Sequence, residues 1–161
     1  MKQAILKDIE FTLKNLQENI FRVRKDEKGE IVYTFNEGPI ARSMKANTEF
    51  VYGKSIKELI GEEHAANILP YYEDAFNGKV SSYELDMGKV IFQTVLSPVL
   101  LEGNIIEVAG SSFDITEKRN QQQELKKAHK ELQRINQSKD RLISIIAHDL
   151  RNPIGNLAYL L

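Results

Sequence analysis

Residues 117–161 carry an almost unbroken helical pattern. Leu125, Ala128, Leu132, Ile135, Leu142 and Ile146 recur at intervals of three, four or seven. Lys139 takes the one seam position that the apolar residues leave. The rest of this surface is rich in Gln, Lys and Glu, as a helix that spans solvent requires. The stripe predicts one continuous helix that pairs with a second copy of the chain in a two-stranded parallel coiled coil. From Ile146 to Leu150 the stripe advances four residues where three would keep the heptad, a stutter that locally unwinds a coiled coil. A rod of this kind leaves the preceding residues to make the globular part. At 161 residues, 28% charged and 42% hydrophobic, the sequence allows one domain plus an appendage.

The preceding residues supply that domain. Residues 1–19 predict an amphipathic helix, with Ile5, Ile9, Leu13, Leu16 and Ile20 at helical spacing. Residues 20–36 predict a hairpin: strand Ile20–Arg24, a turn in which Gly29 supplies a positive φ, and strand Glu30–Phe35. Residues 37–79 lack alternation and are punctuated by Pro39, Gly53, Gly61 and Pro70. Ser55–Ile60 and Glu62–Phe76 are their clearest helices, and Asn77-Gly78 stops the second. Three strands follow. Val80–Met87 sets Tyr83, Leu85 and Met87 on one side, and Lys89–Leu101 sets Val90, Phe92, Thr94 and Leu96 on one face. Pro98 marks a bulge or an edge position in the second of these, and Asn104–Phe113 is the third. Asp114 stands three residues before Glu117, which is capping-box spacing. Helices confined to one insertion predict an α+β fold, a five-stranded antiparallel sheet with short helices on one side.

The chemistry lies near the end of the rod. Leu142, Ile146, Leu150, Leu157 and Leu161 form an apolar stripe, and His148 projects beside it toward water. A neutral imidazole is a nucleophile near physiological pH. The adjacent Asp149 can take the proton of one ring nitrogen, fix the tautomer and free the other nitrogen to attack. Asn152 lies one turn on, on the same face, and its amide can hold a water near whatever the His carries. Pro153 removes the helical bond to the Asp149 carbonyl and predicts a bend there. A metal hydrolase built on His148 and Asp149 would need more ligands on that face, and only an amide stands at the next turn.

The string Lys139-Asp140, Ser144 and Ala147-His148-Asp149-Leu150-Arg151-Asn152-Pro153-Ile154 resembles the H-box of sensor histidine kinases. That is the first helix of their dimerisation-and-phosphotransfer domain. The family often has Phe where this chain has Leu142 or Ile143, a core exchange that leaves the chemistry intact. The resemblance implies His148 as phospho-acceptor, Asp149 as its orienting base, and Asn152 as the group that positions water for dephosphorylating a partner response regulator. Upstream, the strand order, Gly29, the run Gly53-Lys-Ser-Ile-Lys-Glu-Leu59 and the closing Asp114-Ile-Thr116 are similar to a PAS domain over about residues 10–117. The expected organisation is an N-terminal helix over 1–19, a PAS-like sensor over 20–116, a coiled-coil linker over 117–138 and the start of the phospho-acceptor domain over 139–161.

What is missing narrows the reading. No P-loop or Gly-rich nucleotide box occurs, so ATP and Mg²⁺ are expected on a catalytic domain outside this sequence, which reads as a piece of a longer kinase. With no Cys, thiolate metal sites and a cysteinyl-flavin photocycle are excluded. A net charge of -1 without a basic patch argues against nucleic acid. No apolar run approaches the ~20 residues that span a bilayer, and the charged start is unlike a signal peptide. A cytoplasmic location is therefore expected, with an anchor outside this sequence left open. Expected partners are a second copy of the chain, the receiver domain of a response regulator and the ATP-binding domain. His64, among Glu62, Glu63 and Asn67, reads as a surface residue rather than a haem ligand, and His129 as exposed on the rod. Phe35, Phe50, Tyr52, Phe76 and Phe92 are candidates to line a cavity or to be plain core. The PAS ligand stays open, and so does the rival in which a PAS module binds a ligand or dimerises without enzymatic chemistry.

Overall fold

The computed structural model describes residues 8, 11, 12 and 15–158, with side chains described as far as Asp149. By its own contacts the chain falls into two units, Met1–Thr116 and Glu117–Leu161. Most of the expected N-terminal helix, Ile5, Ile9 and Leu13 included, lies outside the described residues. Asp8, Phe11, Thr12 and Asn15 are helical, and the Leu16 N–H closes a helical bond on the Thr12 carbonyl at 3.1 Å.

The first unit is an antiparallel sheet of five strands: β1 (Asn19–Lys25), β2 (Ile31–Glu37), β3 (Ser81–Asp86), β4 (Ile91–Leu101) and β5 (Asn104–Asp114), in spatial order β2-β1-β5-β4-β3. Four helices fill the insertion between β2 and β3: α1 (Pro39–Ser43), α2 (Thr48–Val51), α3 (Ile56–Ile60) and α4 (Glu62–Phe76). The alternation read in the sequence sorts the faces. Tyr83, Thr94, Leu96 and Val108 are buried, with Phe21 and Val23 of β1, against Ala65, Ile68, Tyr72 and Ala75 of α4. Each fully buried large side chain of this layer stabilises the fold by about 1.5–3 kcal/mol. That burial outweighs the helical bond lost at Pro70, which sits inside α4 rather than ending it. Phe21 lies directly opposite Gly110 on β5, and its ring fills the space that a Cβ at Gly110 would need.

Three local devices set the geometry. Ser55 and Glu58 form a capping box on α3: the Glu58 N–H donates to Ser55 Oγ at 3.3 Å and the Ser55 N–H to Glu58 Oε2 at 2.6 Å. The adjoining Gly53 and Lys54 bond the backbone of Tyr33, at 2.8 and 3.0 Å, which fixes that residue of β2. Pro98 lies on β4 beyond the last residue paired with β3, where its missing N–H costs no bond to that strand, and the bulge itself falls at Val99/Leu100.

The third device is the Asp114-Ile-Thr116 run. Asp114 does not form the expected box with Glu117, because the helix begins at Thr116. Its Oδ1 instead accepts from the Thr116 N–H at 2.9 Å and the Thr116 hydroxyl at 2.6 Å. Thr116 Oγ1 in turn accepts from the Ile91 N–H, and the Ile115 N–H donates to the Ile91 carbonyl. These bonds favour the carboxylate and hold the Asp114 carboxyl below its usual range. The folded state therefore gains stability above the ordinary carboxylate pKa and loses it as pH falls through the lowered value. Asp114→Ala is expected to lose about 1 kcal/mol at pH 7. The loss should vanish when chemical denaturation is repeated at a pH where the carboxylate is protonated in both states. An equal loss at both pH values would show that the carboxylate charge plays no part.

The described residues of the second unit form one helix, α5 (Thr116–Ala158), continuous through Pro153. Leu125, Leu132, Ile135, Leu142 and Ile146 each stand more than half exposed along it. Among the described residues no helix is long and apolar enough to cross a membrane.

Candidate functional site

Two places carry chemistry, one in each unit. On α5 the side chains of His148 and Asp149 are 73% and 70% exposed, so the imidazole is open to a reactant approaching from solvent. The ring Nδ1 stands 3.2 Å from Asp149 Oδ1. With Nδ1 carrying the proton toward the carboxylate, Nε2 keeps its lone pair and faces outward. Consecutive side chains leave a helix about 100° apart, so the contact depends on the rotamers that His148 and Asp149 adopt. Asn152 falls one turn further along the same helix, and its side chain lies outside the described residues. His129 is exposed on α5 away from this pair, and His64 is half-buried on α4 and does not line the cavity of the first unit.

In the first unit a cavity of about 220 Å³ lies between the inner face of the sheet and helices α1 to α4. Of the five aromatic candidates Phe50 and Phe92 line it, whereas Phe35, Tyr52 and Phe76 do not. Tyr83 and Leu85 of β3, with Met87 just past its end, form one wall, and Thr94 with Ser112 forms part of the sheet floor. Asn19 and Asn36 close one end. The Asn19 amide donates to Asn36 Oδ1 at 2.6 Å, the Ala41 N–H donates to Asn19 Oδ1 at 2.8 Å, and the Asn36 amide donates to the Ala46 carbonyl at 2.6 Å. The two asparagines thus tie β1, β2 and α1 together, and the sequence reading did not single them out.

Two phenols, Tyr33 and Tyr83, line the same space, and Tyr72 lies behind them in the core. Tyr72 is fully buried and its hydroxyl lies 3.1 Å from that of Tyr83. Tyr33 stacks at a tilt on Phe21, centroids 5.6 Å apart, and its hydroxyl interacts with those of Tyr72 and Tyr83. Burial raises all three phenols above their ordinary pKa; for Tyr72 both neighbouring phenols add to the effect, whereas for Tyr33 the charge of Tyr83 adds and the bond with Tyr72 opposes. They are neutral hydroxyls at physiological pH. Thr94 and Ser112 exchange a hydroxyl bond at 2.8 Å. Among the described residues no buried side-chain nitrogen or oxygen lacks a partner.

Known structures place this architecture. An RNA-binding light-oxygen-voltage receptor matches 81% of the chain at 14% identity with a TM-score of 0.60, and the chain spans only 38% of that protein. The LOV protein of Rhodobacter sphaeroides matches 74% of the chain at 16% identity with a TM-score of 0.54, and 72% of that protein is covered. A light-oxygen-voltage domain studied with a flavin analogue matches 79% of the chain at 13% identity, with a TM-score of 0.53 and 96% of that domain covered. At such identities the likeness is one of fold: the sheet and its helices have a PAS/LOV-like fold, followed by a long helix. No family model and no curated protein matches the chain.

Proposed function

We propose that this chain is the sensory and phospho-acceptor part of a two-component sensor histidine kinase, paired with a second copy through residues 117–161. The observation that carries the reading is the exposed His148–Asp149 pair, inside its H-box-like string, on a helix that starts where a PAS/LOV-like fold ends. In this reading His148 Nε2 attacks the γ-phosphorus of ATP. The N–P bond forms, the bond to the β,γ-bridging oxygen breaks, and ADP leaves with that electron pair. Asp149 holds the Nδ1 proton throughout and offsets the positive charge that develops on the ring. ATP and Mg²⁺ come with an ATP-binding domain outside these residues, and an Asp of a receiver domain takes the phosphoryl group from His148.

The test is phosphorylation of the chain in trans by a histidine-kinase ATP-binding domain with labelled ATP, followed by mapping of the labelled residue. Acid-labile, base-stable label on His148 supports the reading. A dimeric chain that takes no label would instead be a PAS-like ligand-binding or dimerisation module, the rival reading. Asn152→Ala separates the two directions of the reaction. It is expected to leave labelling of His148 within about twofold and to slow dephosphorylation of a receiver domain by roughly 100-fold, the scale of one positioned water-activating group. Equal receiver dephosphorylation by both proteins would remove Asn152 from that role.

A further inference from the structure

We infer that the cavity of the first unit takes an uncharged, mainly apolar ligand of one or two rings, entering past Met44 and Phe50. The inference deepens the sensory half of the reading above and rests on it only for its biological meaning. Size comes first. About 220 Å³ exceeds the roughly 150 Å³ cavity that accommodates benzene and falls short of the ~300–1,000 Å³ typical of drug-sized sites. Charge comes second. Among the described residues that line the cavity none is Asp, Glu, Lys, Arg or His. A carboxylate, phosphate or ammonium would be buried there without a counter-ion, which water opposes strongly.

Polarity narrows the class further. The buried amides and hydroxyls of Asn19, Asn36, Thr94 and Ser112 already bond one another or the backbone, so the cavity demands no polar ligand atom. A ligand gains chiefly by apolar contact with Phe92, Leu85 and the tyrosine rings, and adds at most a bond through spare hydroxyl or amide capacity. Access is local. Met44 and Phe50 both line the cavity and both stand about half exposed, at 55% and 51%. They flank the short α1–α2 segment, while the remaining walls are sheet, α3 and α4.

Benzamide, benzoate and benzamidinium have one shape and three charges. Binding of each to the whole chain, measured by ligand-observed NMR titration, is expected to favour benzamide by at least about 100-fold over either ion, the scale of burying an unpaired charge. Intermolecular NOEs should run from its ring protons to the methyl groups of Leu85 and Thr94. Ala46→Phe, which fills the cavity from the α1–α2 segment, should abolish binding. Should that variant fail to fold, the NOEs in the unaltered chain decide the location alone. Equal or tighter binding of an ion, binding of none of the three, NOEs to other residues, or undiminished binding to a folded Ala46→Phe protein would each overturn the inference. The assay makes no use of phosphate, so its failure would leave the His148 reading standing, and failure of His148 labelling would leave this one standing.

Discussion

His148→Gln is expected to bring the acid-labile label left by an ATP-binding domain down to background, a loss of at least about 100-fold. The size of the effect follows from what the substitution removes. The imidazole offers an outward lone pair on Nε2 while Nδ1 stands 3.2 Å from Asp149 Oδ1. A glutamine of similar length has an amide nitrogen whose lone pair is delocalised into its carbonyl and does not attack phosphorus. The fold should not change. The side chain at 148 is 73% exposed, and Gln is as good a helix former as most residues. Circular dichroism and dimer content should therefore match the unaltered chain, and any loss of label is chemical. Persisting acid-labile label on the variant would move the phospho-acceptor elsewhere, with His129 and His64 the remaining histidines to map.

How far the sequence carried this picture depends on whether a signal is local. The alternation of β3 and β4 set Tyr83, Leu85, Met87, Phe92 and Thr94 on faces that prove to line one cavity. Gly29 marked the hairpin turn and has a φ of 81°. Those signals need only neighbours along one strand or turn. The polar lining of the cavity needs pairs 17 and 18 residues apart, Asn19 with Asn36 and Thr94 with Ser112, and no periodicity announces them. An Asn opening a strand, and a hydroxyl on the inner face of one, were the only hints. Aromatic residues misled for the same reason. Phe35 and Tyr52 sit within a few residues of cavity-lining positions, yet the register shift that sets Phe35 opposite Arg22 and Tyr33 opposite Val23 separates their faces on β2, and the end of the short α2 takes Tyr52 elsewhere. Asp114 shows the limit of spacing rules: the box distance to Glu117 was present, but the helix starts at Thr116, so the carboxylate caps the nearer N–H instead. The His148–Asp149 pair was legible because its members are adjacent in sequence and need only their own rotamers to meet.

Gly38→Ala should strongly destabilise the first unit, with a loss of about 3 kcal/mol or more. Two costs act together. Gly38 opens α1 at φ 140° and ψ -173°, a region that residues with a Cβ seldom occupy, at a strain of about 1–3 kcal/mol. A Cβ there would also lie 2.6 Å from both the Asn19 Cα and the Glu18 carbonyl oxygen, and 2.9 Å from Asn19 Oδ1. Overpacking of this kind costs about 1–3 kcal/mol when neighbours can give way. Here two of the three are backbone atoms, and Asn19 is only 4% exposed and bonded to Asn36 and Ala41. Moving Asn19 aside breaks both bonds and opens the polar end of the cavity, so the clash and the amide network fail together. Gly29→Ala is the control. Its φ of 81° carries strain, but nothing lies within 4 Å of its would-be Cβ. For a unit of this size the difference between the two variants should exceed roughly 8 °C in melting temperature. Equal shifts would mean that Asn19 yields freely, and the amide pair would then not be the rigid end wall that the cavity requires.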